Sequence, residues 1–251
     1  MKRYAWELFL LAACSGGDAS QRTDSPVEQP NAAVRPVDSG AAFRVRDIHG
    51  ETLSAEERAN LRNAPRGRRP SIVFAGTSLT AGMGLDPDSA YPQHVQRMID
   101  SAGMNYEVVN AGISGETSSA LLRRLDWLLR EPYSMFIVET GANDGLRGIP
   151  VSTMRSNIAQ IIDRVRAARP EAPVLLVQME APPNMGAEYT RQFRDAFASV
   201  AKEKGVPLMP FLLEGVAGER ELNQGDGIHP NYEGSRIVAR NVWRGLRPLL
   251  R

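Results

Sequence analysis

A single cysteine, Cys14, in 251 residues excludes an intramolecular disulfide and any cysteine-based metal site, so neither a covalent staple nor structural zinc holds this fold. Histidine is nearly as scarce: His49, His94 and His229 are the only three. No metal or cofactor is expected. A surplus of one charge is lacking too. The 30 Lys and Arg against 29 Asp and Glu leave a net charge of +1, so no single-sign field points to nucleic acid or another polyanionic partner. What is present is length enough for one domain of about 150 to 200 residues with a full core, plus extra segments. Nothing in the composition bears on oligomeric state.

The first residues have the shape of a signal peptide: Lys2 and Arg3, then an apolar run from Leu8 to Ala13, then Cys14-Ser15-Gly16-Gly17. Leu11-Ala12-Ala13-Cys14 resembles the bacterial lipoprotein box. That resemblance implies removal of residues 1–13, a lipid on Cys14 and, with Ser15 next, sorting to the outer membrane. Several acyl chains anchor a protein stably. The expected location is the periplasm-facing cell envelope, with membrane contact only through this anchor. The alternative is a leader ending in an incidental cysteine, since Glu7 abuts an apolar run shorter than the usual span of about 7 to 15 residues. Residues 14–45 are rich in Ser, Gly, Asp, Pro and Ala, with too few large apolar side chains to offset ordering, and read as a disordered tether. Residues 46–70, carrying Glu56, Glu57, Arg58, Arg62, Arg66, Arg68 and Arg69, read as a charged, partly helical lead-in ending at Pro70.

From residue 71 to 251 strand-like and helix-like runs alternate in one domain. Strands are expected at 71–75, 106–110, 134–139, 173–179 and near 207–211, each short, apolar and bounded by breakers. Between them Leu121, Leu122, Leu125, Leu128 and Leu129 recur at helical spacing, as do Met154, Ile158, Ile161, Ile162 and Val165. Further helices are expected at 89–102, 188–204 and 232–247. Alternating strands and helices with strands this apolar predict an α/β fold, a parallel sheet covered on both faces.

Ligands of such a sheet bind beyond the carboxyl ends of its strands. The segments there are Gly76-Thr77-Ser78-Leu79, Ala111 to Thr117 and Thr140 to Gly145; the loop holding Asp226 and His229 precedes the last helix. Acyl transfer to water needs a nucleophile, a base and donors for the oxyanion. Ser78 opening a helix is a candidate nucleophile, Gly115 and Asn143 candidate donors, and His229 a base oriented by Asp226 three residues upstream. Each has a plainer reading. A serine after a strand is more often a helix N-cap, and Gly112, Gly115, Asn143-Asp144-Gly145 and Asp226-Gly227 are ordinary turn signals. His94, mid-helix, and His49 lack an acid at this spacing and read as structural or solvated.

In that order, these segments are similar to those of the SGNH hydrolases, also called the GDSL esterase/lipase family, and within it to the bacterial multifunctional thioesterase/lysophospholipase/arylesterase group. The resemblance runs from about residue 71 to 249. It implies a three-layer α/β/α sandwich with a five-stranded parallel sheet in flavodoxin-like order. It also implies a triad of Ser78, Asp226 and His229, and an oxyanion hole of the Ser78 and Gly115 N–H groups with the Asn143 side chain. The family's usual Gly-Asp-Ser-Leu is here Gly76-Thr77-Ser78-Leu79; a hydroxyl for a carboxylate predicts an altered rate or pH response rather than loss of function. Ala181 and Pro182 fall in the loop that covers the acyl site in such enzymes, Ala181 standing where close relatives carry a larger apolar residue. The expected activity is hydrolysis of short to medium acyl esters, a small-molecule substrate, through an acyl-enzyme. The alternatives are a carbohydrate acetylesterase of the same family and a non-catalytic lipoprotein that keeps the fold for binding.

Overall fold

The computed structural model describes residues 69–250. The expected leader, Cys14, the tether, His49 and all of the lead-in before Arg69 lie outside the described residues.

Among the described residues five strands form: β1 (Ser71–Gly76), β2 (Glu107–Gly112), β3 (Met135–Val138), β4 (Val174–Val177) and β5 (Leu208–Met209). β1, β3 and β4 are apolar and almost wholly buried, as a sheet covered on two faces permits, while β2, at one edge, leaves Val109 and Asn110 exposed. All pair in parallel, in the order β2-β1-β3-β4-β5. β1 is central in the register, with Ile72 opposite Val108 and Met135, and Ala75 opposite Ala111 and Val138. The order reverses between β1 and β3, the switch point at which open α/β sheets bind ligands.

Seven α-helices accompany the sheet among the described residues: α1 (Ser78–Ala81), α2 (Tyr91–Ser101), α3 (Ser118–Leu128), α4 (Ala142–Leu146), α5 (Val151–Ala168), α6 (Ala187–Lys204) and α7 (Tyr232–Leu246). α2 packs on α7, while α5 packs on both α3 and α6. Met154, Ile158, Ile161, Ile162 and Val165 are all fully buried, so the whole α5 stripe enters the core. On α3, Leu121, Leu125 and Leu128 are buried, and Leu122 and Leu129 reach the core from partly exposed positions.

The element boundaries depart from sequence expectation where neighbours decide them. β2 runs on to Gly112, opposite Gly76, because β1 continues alongside it. β3 ends at Val138, so Glu139 stands beyond the strand rather than within it. β5 is a two-residue edge between Pro207 and Pro210, which cannot donate to a ladder. The helix expected after Ser78 is one turn, closed by Gly82 in the left-handed conformation at φ 74°. No helix among the described residues is long and apolar enough to cross a membrane.

Candidate active site

The loop before α7 is shaped by its own polar groups. An antiparallel bridge joins Asn223 to Pro230, and the Gln224 N–H donates to the His229 carbonyl at 2.8 Å. Inside that hairpin Asp226 Oδ1 accepts the N–H groups of Ile228 and His229, both at 3.0 Å. This Asx turn leaves Asp226 Oδ2 to face the imidazole, 2.6 Å from His229 Nδ1. The other ring nitrogen, Nε2, lies 2.8 Å from Ser78 Oγ, across 151 positions of sequence. Gln224 fixes the distance between the two segments, its Nε2 donating to the carbonyls of Met83, just past α1, and of Pro230.

Partial burial alone would raise the Asp226 pKa. The hydrogen bonds from the His229 ring and from the Ile228 and His229 N–H groups outweigh it and hold the carboxyl below its ordinary value. An ionised carboxylate only accepts, so Nδ1 carries the proton and Nε2 is the acceptor for the Ser78 hydroxyl.

Ser78 escapes the N-cap role that a serine after a strand usually takes, because Thr77 fills it. The Thr77 hydroxyl accepts from the Leu79 N–H, and Ser78 becomes the first residue of α1 with its Oγ free for His229. Among the described residues neither the Ser78 N–H nor the Gly115 N–H donates a hydrogen bond. Gly115, at φ 77°, holds a conformation that side-chain-bearing residues rarely adopt. Its carbonyl is clamped by Arg147 Nη2 at 3.0 Å. Asn143 sits in α4; one N–H of its amide donates to the Glu116 carbonyl at 3.0 Å, and the second remains available. Ser78, His229, Asp226, Gly115 and Asn143 thus stand on the segments that follow β1, β2 and β3 and on the loop before α7.

Ala181 and Pro182 lie on a different segment, after β4. A Cβ on Gly145 of α4 would fall 3.3 Å from Ala181, so this small side chain packs on the helix that carries Asn143. A small recess beside Ser78 and His229 is lined instead by Met83, Leu85, Leu213 and Val238, among others.

Several supporting residues escaped the sequence reading. The fully buried Asp144 accepts the Ser118 N–H at 2.8 Å and the Ser118 hydroxyl at 2.6 Å, locking α4 to the start of α3. Glu116 pairs with Arg124 at 2.5 Å, and Arg124 also reaches the Ala111 carbonyl, bracing the Gly115 loop from behind. Glu139 accepts from Thr77 and Thr80 directly beneath Ser78. The available signal was an acid closing each apolar or glycine-rich stretch, a pattern that exposed loops share. Among the described residues no three His, Cys, Asp or Glu side chains converge as a metal site requires. His94, on α2, is buried against α7, its ring edge-on to that of Tyr232 with centroids 5.6 Å apart and its Nδ1 2.7 Å from Arg97 Nη1; it makes no hydrogen bond to Ser78, His229 or Asp226.

A parallel sheet with serine, histidine and aspartate in hydrogen-bonded sequence at its carboxyl rim has the arrangement that nucleophilic acyl transfer requires, on an α/β scaffold. More narrowly, the chain belongs to the GDSL-like lipase/acylhydrolase family, whose model matches residues 74–237. It is 38% identical to "Esterase TesA" of Pseudomonas aeruginosa over 72% of this chain and 89% of that protein. To the "Thioesterase 1/protease 1/lysophospholipase L1" of Escherichia coli K12 it is 36% identical, over 72% of this chain and 85% of the other. A crystal structure of TesA superposes with a TM-score of 0.69 at 38% identity, covering 72% of this chain and 99% of that one.

Proposed function

We propose that this protein is a serine carboxylic ester hydrolase acting on short to medium acyl esters, with thioesters and lysophospholipids within its range. The observation that carries the reading is the continuous chain from Asp226 Oδ2 through both nitrogens of His229 to Ser78 Oγ, at 2.6 and 2.8 Å. Ser78 Oγ attacks the acyl carbon while His229 Nε2 takes its proton, and Asp226 stabilises the imidazolium that forms. The carbonyl oxygen, now an oxyanion, is met by the Ser78 and Gly115 N–H groups and the free Asn143 amide N–H. Collapse expels the alcohol or thiol with the proton from His229 and leaves Ser78 acylated. Water, deprotonated by His229, attacks the ester so formed; the carboxylic acid departs and Ser78 regains its proton.

An apolar acyl group is favoured over an acetylated sugar by the character of the rim. Met83, Ile113, Leu146 and Ile228 are large apolar side chains exposed to solvent, one in each of the four segments that bear the site residues. Apolar lining with a few converging polar groups suits an acyl chain. The names of the relatives, esterase and thioesterase/lysophospholipase, support the same class. Ala181 and Pro182 are proposed to border the acyl group from beside α4, and Cys14 to carry the lipid that holds the enzyme on the periplasm-facing side of the envelope.

A fluorophosphonate probe tests the chemistry directly. The wild-type chain should be labelled and should hydrolyse a p-nitrophenyl ester series, and Ser78→Ala should do neither. A folded protein that takes no label and turns over no ester would end the enzyme reading in favour of a binding lipoprotein. Activity confined to acetylated xylan or another acetyl-sugar would replace the acyl-ester reading with the carbohydrate acetylesterase. Mass spectrometry of the mature N-terminus tests the anchor: a diacylated or triacylated Cys14 is expected, and an intact Met1 would overturn it.

A further inference from the structure

Beneath the nucleophile lies a carboxylate that the chemistry above leaves unused. Glu139 is 1% exposed, and three donors meet on it. The Thr77 N–H reaches it at 2.7 Å, the Thr77 hydroxyl lies 3.0 and 3.1 Å from its two oxygens, and the Thr80 hydroxyl is at 2.9 Å. Thr80 Oγ1 is also 2.7 Å from the hydroxyl of Tyr91, which is buried on α2. With the Thr80 proton committed to the carboxylate, Tyr91 must donate to Thr80, so every O–H in the chain points toward Glu139. An ionised acceptor is what such one-way orientation suits. Gly76 permits the approach: a Cβ there would fall 2.6 Å from Glu139 Oε2 and 2.0 Å from Thr80 Oγ1.

Thr77 and Thr80 bracket Ser78 in a helix of one turn, which is too short to hold its own shape. Glu139 is itself anchored, its N–H donating to the Ala75 carbonyl of β1 at 2.9 Å. The carboxylate therefore ties both flanks of the nucleophile to the neighbouring strand.

We propose that Glu139 is the positioning residue of the nucleophile, gripping Thr77 and Thr80 so that the Ser78 Oγ stays aimed at the reacting carbon and the Ser78 N–H at its oxygen, with the Thr77 hydroxyl as its matched donor. The inference rests on the esterase reading and assigns the role of a residue within it. Burial is the largest influence on Glu139 and raises its pKa; the hydrogen bonds from Thr77 and Thr80 oppose that rise, and the charge of Glu116 adds to it. Tyr91, whose own pKa is raised by burial and then by Glu139, is the other titratable group facing it.

The test uses the full-length chain with kcat, KM, fluorophosphonate active-site titration and thermal melting measured together. Thr77→Val keeps the shape of the side chain and removes its donor, while Glu139→Gln turns one acceptor oxygen into a donor facing donors. Each should lower kcat per labelled site by about 10- to 100-fold, the cost of a nucleophile held slightly out of line, with KM changed less than about twofold. Thr77→Ser, which retains the donor, should keep most of the activity. The double variant Thr77→Val/Glu139→Gln should be little worse than the poorer single one, because the two act as a unit. Thr77→Asp places a second carboxylate against Glu139, so its activity relative to wild type should recover as pH is lowered until the pair shares a proton. Wild-type kcat per labelled site in both Thr77→Val and Glu139→Gln would overturn the proposal, since a merely structural role would reduce only the number of competent sites. If Glu139→Gln does not fold, the comparison of Thr77→Val with Thr77→Ser decides alone: equal kcat in the two overturns it. An inactive wild type would instead defeat the esterase reading itself, so the two failures are distinguishable.

Discussion

Asp226 and His229 are three residues apart, yet only one of them is shielded: the His229 side chain is 12% exposed and that of Asp226 42%. An acid this open still orients the ring because its second oxygen is pinned by two backbone N–H groups. Asp226→Asn keeps the shape but presents an amide where the Nδ1 proton needs an acceptor, so kcat should fall by roughly 10³- to 10⁴-fold with KM nearly unchanged. The lowered pKa of Asp226 keeps it ionised as acid is added. Protonation of Asp226 is therefore not what limits the rate in mildly acid solution. Asn143 offers one free N–H to the oxyanion, and Asn143→Ala should lower kcat by about 10²- to 10³-fold with folding intact. The residue types at these positions were readable in the sequence. That Thr77, and not Ser78, caps α1 was not, because a cap is chosen by which hydroxyl reaches the Leu79 N–H, a matter of backbone angle at the strand end.

At the level of elements, the nucleophile is placed by the close passage of a strand end and a helical turn. Gly112 ends β2 opposite Gly76, and a Cβ on it would lie 2.2 Å from the Ala81 backbone nitrogen of α1. Main chain cannot move aside as a flexible side chain can. Gly112→Ala should therefore cost about 2 kcal/mol or more of stability, measured by denaturant unfolding, and reduce turnover further by displacing α1. The long helices and the apolar strands β1, β3 and β4 were legible because their signal is local: a stripe at helical period, or a run of four or five buried strand residues between breakers. β5 and α1 were less so. A two-residue edge strand and a one-turn helix have no period of their own, and they exist because a neighbour pairs with or ties them.

Across the whole molecule, the layer formed by α2 and α7 encloses His94. Its pKa is lowered to about 4, first by burial and then by the charges of Arg97 and Arg236. In the unfolded chain the ring titrates at its ordinary value of 6.5. Between those two values the unfolded state holds a proton that the folded state does not, so stability is full above about 6.5 and declines as pH falls toward about 4. Thermal melts should follow that slope, and His94→Gln should flatten the part of it that belongs to this ring. A variant that melts with the wild-type pH dependence would show that other groups set the slope.

By itself the sequence determined the fold class, the order of most elements, and the chemistry stationed after each strand, since short-range periodicity and residue type are properties of the chain alone. It held Ser78 and His229 at opposite ends of the domain and could not bring them to 2.8 Å. That distance, the choice of Thr77 as the cap, and the burial of Glu139 under the nucleophile were decided only by the tertiary structure. The parallel pairing of β1 between β2 and β3 sets which strand ends stand side by side, and contact across more than a hundred residues is a property of that arrangement rather than of any segment.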